Sequence, residues 1–175
     1  TFTFVAVPTL SGISPGLGPE AGGTSVMISG SGLGTASSVQ FGGVPASFTV
    51  NSDTQITATT PAGTGLVDVS VTTVGGGAVT AAADRFRYVG TPTVTTISPT
   101  SGPVAGGTSI TITGTGFYGV TGISFGGGAA TSYTVVSPTS ITATTPAHAA
   151  GPAGVEVTTS YGGTSAAGGP FRLRR

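Results

Sequence analysis

The stretch ISPTSGPVAGGTSITITGTGF, from Ile97 to Phe117, has a near copy earlier in the same chain. Between Ile13 and Leu33 the chain reads ISPGLGPEAGGTSVMISGSGL, with the same Ile-Ser-Pro start, the same Ala-Gly-Gly-Thr-Ser centre and the same spaced glycines. Every one of these matches has the same offset along the chain. Similar stretches at a fixed offset indicate a repeated structural unit, so we expect this chain to contain one domain twice.

Matches later in the chain keep almost the same offset. The hexapeptide ITATTP occurs at Ile56–Pro61 and again at Ile141–Pro146, where the offset has grown by a single position. This small drift indicates short insertions in loops. In this chain of 175 residues we therefore predict two copies of a domain of about 85 residues, at 1–89 and 90–175.

Alternation of apolar and polar residues predicts the secondary structure of each copy. Isoleucine alternates with polar residues in Ser109–Thr113, and valine recurs at Val67, Val69 and Val71. A period of two is typical of half-buried strands, and β-branched residues favour strands. No segment has a helical period. About seven short strands per copy, separated by Gly-Gly, Ser-Pro and Thr-Pro turns, predict an all-β fold of two tandem immunoglobulin-like β-sandwiches.

Charged residues are scarce. They make up 6% of the chain, against roughly 25% in an ordinary soluble domain, and the formal net charge is zero. The 32 glycines and 12 prolines approach the composition of disordered chains, but 37% hydrophobic residues at regular spacing favour packed cores. A surface of Thr, Ser, Gly and Ala indicates a protein that lives in an assembly, on a surface or outside the cell. Cysteine is absent, so no disulfide framework exists.

Neither a leader nor a membrane span is visible in the sequence. The chain begins at Thr1 without a basic and then apolar segment, so we expect a mature product or a fragment. No stretch approaches the ~18 uninterrupted apolar residues of a transmembrane helix. We therefore predict no membrane insertion.

Several spaced motifs recur in the same order in both copies. The second copy carries them nearly intact: Ile97-Ser98-Pro99, Gly102-Pro103, Ala105 to Ser109, Gly114-Thr115-Gly116-Phe117, Phe125-Gly126-Gly127 and Ile141 to Pro146. This series resembles the IPT/TIG family of immunoglobulin-like domains, found in plexin-type receptors and Rel-type transcription factors. The low charge and the Thr/Gly-rich style look like the bacterial or phage surface-protein repeats of that family. The resemblance implies a scaffold and not a particular chemistry.

The residue types needed for catalysis or metal binding are few and scattered. His148 is the single histidine and lies in a loop without a cysteine or an acidic cluster nearby, so we expect a solvent-exposed loop histidine. Asp68 and Glu156 fall in corresponding strands of different domains, which disfavours a carboxylate pair acting across a sugar. Asp53 fits a turn. We predict no catalytic residue, no metal ligand and no cofactor, and hence no enzyme.

The five arginines bear on nucleic-acid binding. Arg85 and Arg87 lie in the last predicted strand of the first domain, and Arg172, Arg174 and Arg175 end the second. A phosphate backbone needs a broad basic surface, which a chain of zero net charge does not supply. We therefore predict no nucleic-acid partner. The alternation instead predicts that the apolar residues of these two strands face inward: Phe86, Tyr88, Phe171 and Leu173.

Two tyrosines are the candidate contacts for a partner or a glycan. Tyr118 follows the turn GTGF and Tyr161 lies in TSYGGT, so both belong to predicted loops. Sugar sites on β-sandwiches present exposed aromatic faces, and these two rings would supply such faces if their loops leave them exposed. Packing of the rings within the loops is the interpretation that the sequence favours.

The sequence as a whole predicts a non-enzymatic extracellular module with a structural or adhesive role at a cell surface or virion surface. Its partners would be proteins, including further copies of the chain in a larger assembly. A carbohydrate-binding accessory module of a larger secreted or virion protein is the alternative function. Thr-rich edge strands without charge have little to prevent strand addition, so edge pairing is a specific route to assembly.

Overall fold

The computed structural model describes residues 7–77 and 82–175. The chain divides into two compact units, Thr1–Val89 and Gly90–Arg175. The described residues contain no α-helix, and their one helical element is a 3-10 turn at Ala82–Asp84. The all-β class predicted from the alternation is therefore confirmed.

Two sheets form the first unit, and their strands pair antiparallel except for β2 with β10. One has the strand order β1-β3-β7-β6, and the other has the order β2-β10-β8-β4-β5, with β9 added to β8. The described strands of this unit are β1 (Thr9–Ser14), β2 (Leu17–Pro19), β3 (Ser25–Ser31), β4 (Ala36–Phe41), β5 (Val44–Pro45), β6 (Ser47–Ser52), β7 (Gln55–Thr59), β8 (Leu66–Thr73), β9 (Gly76–Gly77) and β10 (Arg85–Val89).

The second unit repeats this arrangement. Its first sheet has the order β11-β13-β17-β16, and two smaller groups, β12-β21-β18 and β15-β14-β19-β20, replace the other sheet. The strands are β11 (Thr93–Ser98), β12 (Ser101–Pro103), β13 (Ser109–Thr115), β14 (Val120–Phe125), β15 (Gly128–Ala129), β16 (Ser132–Ser137), β17 (Ser140–Thr144), β18 (Gly151–Ala153), β19 (Val155–Thr159), β20 (Gly163–Thr164) and β21 (Phe171–Arg174).

The long strand β8 of the first unit corresponds to two short strands, β18 and β19, in the second. Arg85 pairs with Asp68 where β10 meets β8. At the matching positions the second unit has Pro170, just before Phe171, and Gly154. Proline has no N–H to donate, so the ladder ends there. Such breaks, together with very short strands such as β5 and β9, raise the strand count above the predicted seven per copy.

Each unit buries the inward residues of its sheets in one core. In the first unit the rings of Phe41 and Phe86 meet edge-on, with their centroids 5.4 Å apart. The ring centroid of Tyr88 lies 5.0 Å from that of Phe86. In the second unit Phe125 and Phe171 meet at 6.0 Å. Edge-on aromatic pairs add stability beyond the area they bury. Further large residues of the two cores occupy matching positions: Val26, Ile28, Ile56, Val69 and Val71, and Ile110, Ile112, Ile141, Val155 and Val157.

Paired glycines make the turn that precedes β3. Gly22 and Gly23 both have a positive φ, of 77° and 83°. A Cβ on Gly22 would lie 2.5 Å from the carbonyl carbon of Pro61, whereas a Cβ on Gly23 would meet nothing within 4 Å. The second unit repeats this geometry at Gly106 and Gly107. Gly22 is thus required for both its dihedral angle and its lack of a side chain.

Tyr88 closes the core of the first unit beneath the loop after β7. Its hydroxyl donates a hydrogen bond to the carbonyl oxygen of Pro61 at 2.8 Å. A Cβ on Gly63 would lie 2.6 Å from Cε2 of the ring, so the loop backbone lies directly on Tyr88. Burial raises the pKa of Tyr88 above its ordinary value of 10.0 because desolvation penalises the phenolate.

Substitution of the paired glycines separates backbone strain from steric clash. Gly23→Ala is expected to lower the free energy of unfolding by about 1–2 kcal/mol, the cost of a left-handed conformation for an L-residue. Gly22→Ala is expected to cost clearly more, because its methyl group also meets the Pro61 carbonyl. Urea unfolding measures both values. Equal losses in the two variants would contradict the close approach.

The raised pKa of Tyr88 predicts a specific alkaline destabilisation. The unfolded chain releases the phenolic proton near pH 10 and the folded chain only at higher pH, so stability falls as pH rises above about 10. Tyr88→Phe is expected to cost about 1 kcal/mol at pH 8, through the lost hydrogen bond. The cost should shrink by pH 11, because the variant lacks this titration. If urea unfolding gives the same loss of stability for Tyr88→Phe at both pH values, burial does not raise the pKa of Tyr88.

Candidate interaction surface of the second unit

Tyr118 lies in the loop between β13 and β14. The preceding residue, Phe117, is buried in the core and fixes the start of this loop. Tyr118 is half-buried, and its backbone N–H donates to the carbonyl oxygen of Gly116 at 2.8 Å. In the first unit the buried residue Leu33 is followed by Gly34. The aromatic ring at this loop is therefore a feature of the second unit.

Tyr161 lies in the hairpin loop between β19 and β20. Thr159 pairs with Gly163 across this hairpin, so three residues form the loop. In the first unit Thr73 pairs with Gly76 across the corresponding hairpin, so two residues form that loop. The second unit has thus gained one residue at the loop that holds Tyr161. The ring is half-buried, as is that of Tyr118.

The structure brings these two loops together. The backbone N–H of Ser160 donates to the carbonyl oxygen of Gly119 at 2.9 Å. A Cβ on Gly119 would lie 2.5 Å from Oγ of Ser160 and 2.8 Å from Cε2 of Tyr161, so both side chains lie against the glycine. Gly119 also has a φ of 61°, in the left-handed region. Tyr118 and Tyr161, predicted separately, therefore stand on neighbouring loops with a glycine between them.

A third tyrosine, Tyr133 on strand β16, was not among the candidates predicted from the sequence. Its hydroxyl donates to the carbonyl oxygen of Val120 at 3.3 Å, one residue beyond Gly119. Its ring therefore approaches the start of β14, which follows the loop of Tyr118. The sequence feature that indicates an apolar strand here is the run from Tyr133 to Val136, in which two valines follow an aromatic residue and a threonine.

Strand β16 carries the exposed large hydrophobic residues of the second unit. Among residues 90–175, all of which the structure describes, these are Tyr133, Val135 and Val136, at 38%, 41% and 65% exposure. The equivalent strand of the first unit, β6, packs Phe48 and Val50 against its own core. The two units therefore share a fold but differ in the apolar surface of this strand.

Charged residues lie outside the sheet that contains β16. The strands β11, β13, β16 and β17 contain no Asp, Glu, Lys or Arg. On the other side of the second unit, Glu156 accepts a hydrogen bond from the Ser124 hydroxyl at 3.1 Å, and Arg172 and Arg174 are exposed on β21. The sheet face beside β16 is therefore neutral and rich in hydroxyl groups.

Three charged residues of the first unit serve local structure. Asp53 lies in the turn between β6 and β7, as predicted, and accepts hydrogen bonds from the backbone N–H groups of Gly32 and Gly34 at 3.3 and 3.2 Å. Arg85 and Asp68 form an exposed ion pair at 2.9 Å. Exposed pairs of this kind contribute about 1 kcal/mol or less.

His148 differs from the expected exposed loop histidine. It lies in a loop but is half-buried, and its Nδ1 is 2.9 Å from the carbonyl oxygen of Ala149. A Cβ on Gly126 would lie 2.8 Å from Nε2, so the ring packs on that glycine. In residues 7–77 and 82–175 no group of three or more His, Cys, Asp or Glu side chains is arranged to hold a metal ion.

The predicted inward residues of the last strands are placed correctly. Phe86, Tyr88, Phe171 and Leu173 are buried. The described residues also contain no helix of the length and apolar character needed to cross a membrane.

The repeat seen in the sequence and in the two cores corresponds to a known family model. The IPT/TIG domain model matches residues 8–88 and again residues 92–172. The chain belongs to the IPT/TIG family. The predicted resemblance, with two tandem copies, is therefore confirmed.

Two relatives of this IPT/TIG chain are longer proteins of which it matches a small part. Fibrocystin-L of Homo sapiens is 36% identical over 117 residues, which are 66% of this chain and 3% of fibrocystin-L. The full extracellular region of plexin A4 aligns with 98% of this chain and 18% of its own, at a TM-score of 0.57 and 25% identity. The chain thus spans less than a fifth of either relative.

Substitution of Gly119 tests the contact between the two tyrosine loops. Gly119→Ala is expected to displace the Ser160 side chain and the Tyr161 ring, and to cost about 1–2 kcal/mol for its left-handed backbone. Gly122→Ala is the control, because a Cβ there meets nothing within 4 Å. The ring proton shifts of Tyr161 in NMR spectra report the displacement. Unchanged Tyr161 shifts in Gly119→Ala would contradict the packing of the ring on this loop.

Proposed function

We propose that this chain is a non-enzymatic extracellular module that makes protein–protein contacts in a surface or virion assembly. Its domains would be 1–89 and 90–175, and its partners would include further copies of the same chain. The observation that carries the proposal is strand β16, where exposed apolar residues lie in a sheet without charge. The corresponding strand of the first unit packs its large residues inward.

The composition of this surface supports a protein partner. Interface cores between proteins are depleted of charged residues and enriched in tyrosine and other aromatic residues. Three of the four tyrosines of the chain, Tyr118, Tyr133 and Tyr161, lie in the second unit, on or beside β14, β16 and β19. Scattered exposed apolar residues are ordinary, whereas a contiguous group marks a contact site.

An extracellular location is supported by the likeness to the plexin A4 extracellular region and by the charge-poor surface. A cell surface and a virion surface both fit a module of this kind. A non-catalytic role is supported by the positions of the polar groups that catalysis would need. Asp68 pairs with Arg85, Glu156 accepts a bond from Ser124, and the His148 ring is held by its own loop.

Carbohydrate binding is the second candidate function. It is favoured by one observation, the meeting of the loops that carry Tyr118 and Tyr161. Aromatic rings offer flat apolar faces to sugars, and hydroxyl-bearing side chains nearby offer hydrogen bonds. In this function the module would be an accessory of a larger secreted or virion protein.

Mass in solution tests the self-association in the first proposed function. Light scattering over a concentration series is expected to show a mass that rises from the 16.6 kDa monomer as concentration increases. A mass that stays at the monomer value at every concentration would contradict self-association.

A glycan array tests the second function directly. If sugars bind at the tyrosine loops, Tyr118→Ala and Tyr161→Ala should each weaken the array signal at least tenfold. Val74→Ala in the matching hairpin of the first unit is the control, because Val74 is exposed in an equivalent loop. No signal with the unsubstituted chain, or equal signals from all three variants, would exclude a glycan site at these loops.

A further inference from the structure

We propose that strand β16 pairs antiparallel with β16 of a second copy of this chain, about a two-fold axis at Thr134. The inference rests on the proposed function, since it names the surface and the partner of the protein contact. Two sheets would thereby join into one continuous sheet across the dimer. The first unit, whose equivalent strand has a different surface, provides the internal comparison.

Strand β16 is an open edge. It ends the sheet β11-β13-β17-β16 and is paired on one side with β17. Five of its six residues are exposed, and the strand contains neither a proline nor a charge. Natural edge strands are commonly protected by lysine, proline or a covering loop. Here the open backbone N–H and C=O groups can accept a further strand.

The residues of β16 complement themselves in an antiparallel pair. With Thr134 opposite Thr134, Tyr133 of each copy faces Val135 of the other. Aromatic residues opposite β-branched residues, and threonine opposite threonine, are favourable cross-strand pairs. The exposed sides of Tyr133 and Val135 would be covered by this pairing, and both residues contact the solvent in the single chain.

The absence of charge removes the usual obstacle to symmetric pairing. A two-fold axis at Thr134 places the side chain of that residue opposite its own copy, so a charged residue at this position would meet a like charge. The neighbouring strand β17 and the next strand, β13, are also without charge. A second copy of the chain is therefore compatible with this edge in both backbone and side chains.

The equivalent edge of the first unit, β6, is also free of charge and proline but lacks the exposed large apolar residues of β16. Strand β6 also ends its sheet, but Phe48 and Val50 pack on their own core. At the position of Val136 it has Asn51, whose side-chain amide donates to Gln55 Oε1 at 3.1 Å and to Thr57 Oγ1 at 2.8 Å. An amide engaged in this way keeps the face polar. Thr49, which corresponds to Thr134, thus provides a matched control position.

A bulge limits the strength of the contact. The register of β16 with β17 shifts between Val135 and Ser137, which leaves Val136 outside the regular ladder. Regular pairing is then confined to the residues before the bulge. The area buried would fall below the roughly 1,200 Å² that marks the lower end of stable interfaces. We therefore expect a weak, concentration-dependent dimer.

A single cysteine tests the register. The chain contains no cysteine, so Thr134→Cys introduces one thiol per chain. Directly opposite residues in an antiparallel pair have Cα atoms about 4.5–5.5 Å apart, within disulfide range. On oxidation with diamide, Thr134→Cys is expected to form a disulfide dimer at least tenfold faster than Thr49→Cys, measured by non-reducing electrophoresis. Equal rates for the two variants would overturn the proposal.

A lysine at the same position tests the contribution of this edge to assembly. Thr134→Lys places two ammonium groups at the axis and should hold the mass at the monomer value in light scattering. Thr49→Lys should associate as the unsubstituted chain does. If the unsubstituted chain associates and Thr134→Lys associates equally, the edge proposal is wrong while the proposed protein contact stands. If the unsubstituted chain stays monomeric and Thr134→Cys gives no excess dimer, the edge proposal and the self-association in the proposed function both fail.

Discussion

Each unit depends on the meeting of two phenylalanine rings across a central strand. Phe41 on β4 reaches Phe86 on β10 over strand β8, and Phe125 meets Phe171 in the corresponding place in the second unit. The second ring of each pair comes from the last strand of its unit. Closure of the core therefore requires the last strand of each unit.

Period-two alternation predicted the parts of the fold that depend on local sequence. It placed the inward residues of the last strands correctly, and the glycine pairs at positive φ matched their predicted turns. It did not predict the division of a long strand at Gly154, which depends on the partner position Pro170 in a distant segment. The alternation of Tyr133 and Val135 predicts that both residues face inward, but it does not show how far the neighbouring strands cover an edge residue, so the exposure of Tyr133 was missed.

The candidate surface was predicted in part for the same reason. Tyr118 and Tyr161 were visible as aromatic residues in loops, but the two lie far apart in the chain, and a hydrogen bond between their loops brings them together. Comparison of the two units supplies the further information. They share core positions and turn glycines, and they differ at a loop insertion, at the exposed residues of β16 and in the amide network around Asn51. Surface divergence on a common core is expected when one copy takes on a contact role.

Hydrogen exchange of the unsubstituted chain at low and high concentration tests the central claim most directly, because strand addition at β16 would protect its outward amides. We predict that protection of amides in residues 132–136 rises with concentration, while protection in residues 47–51 of β6 stays constant. Protection that does not change with concentration in either strand, or that rises equally in both, would contradict the assignment of the contact to the second unit.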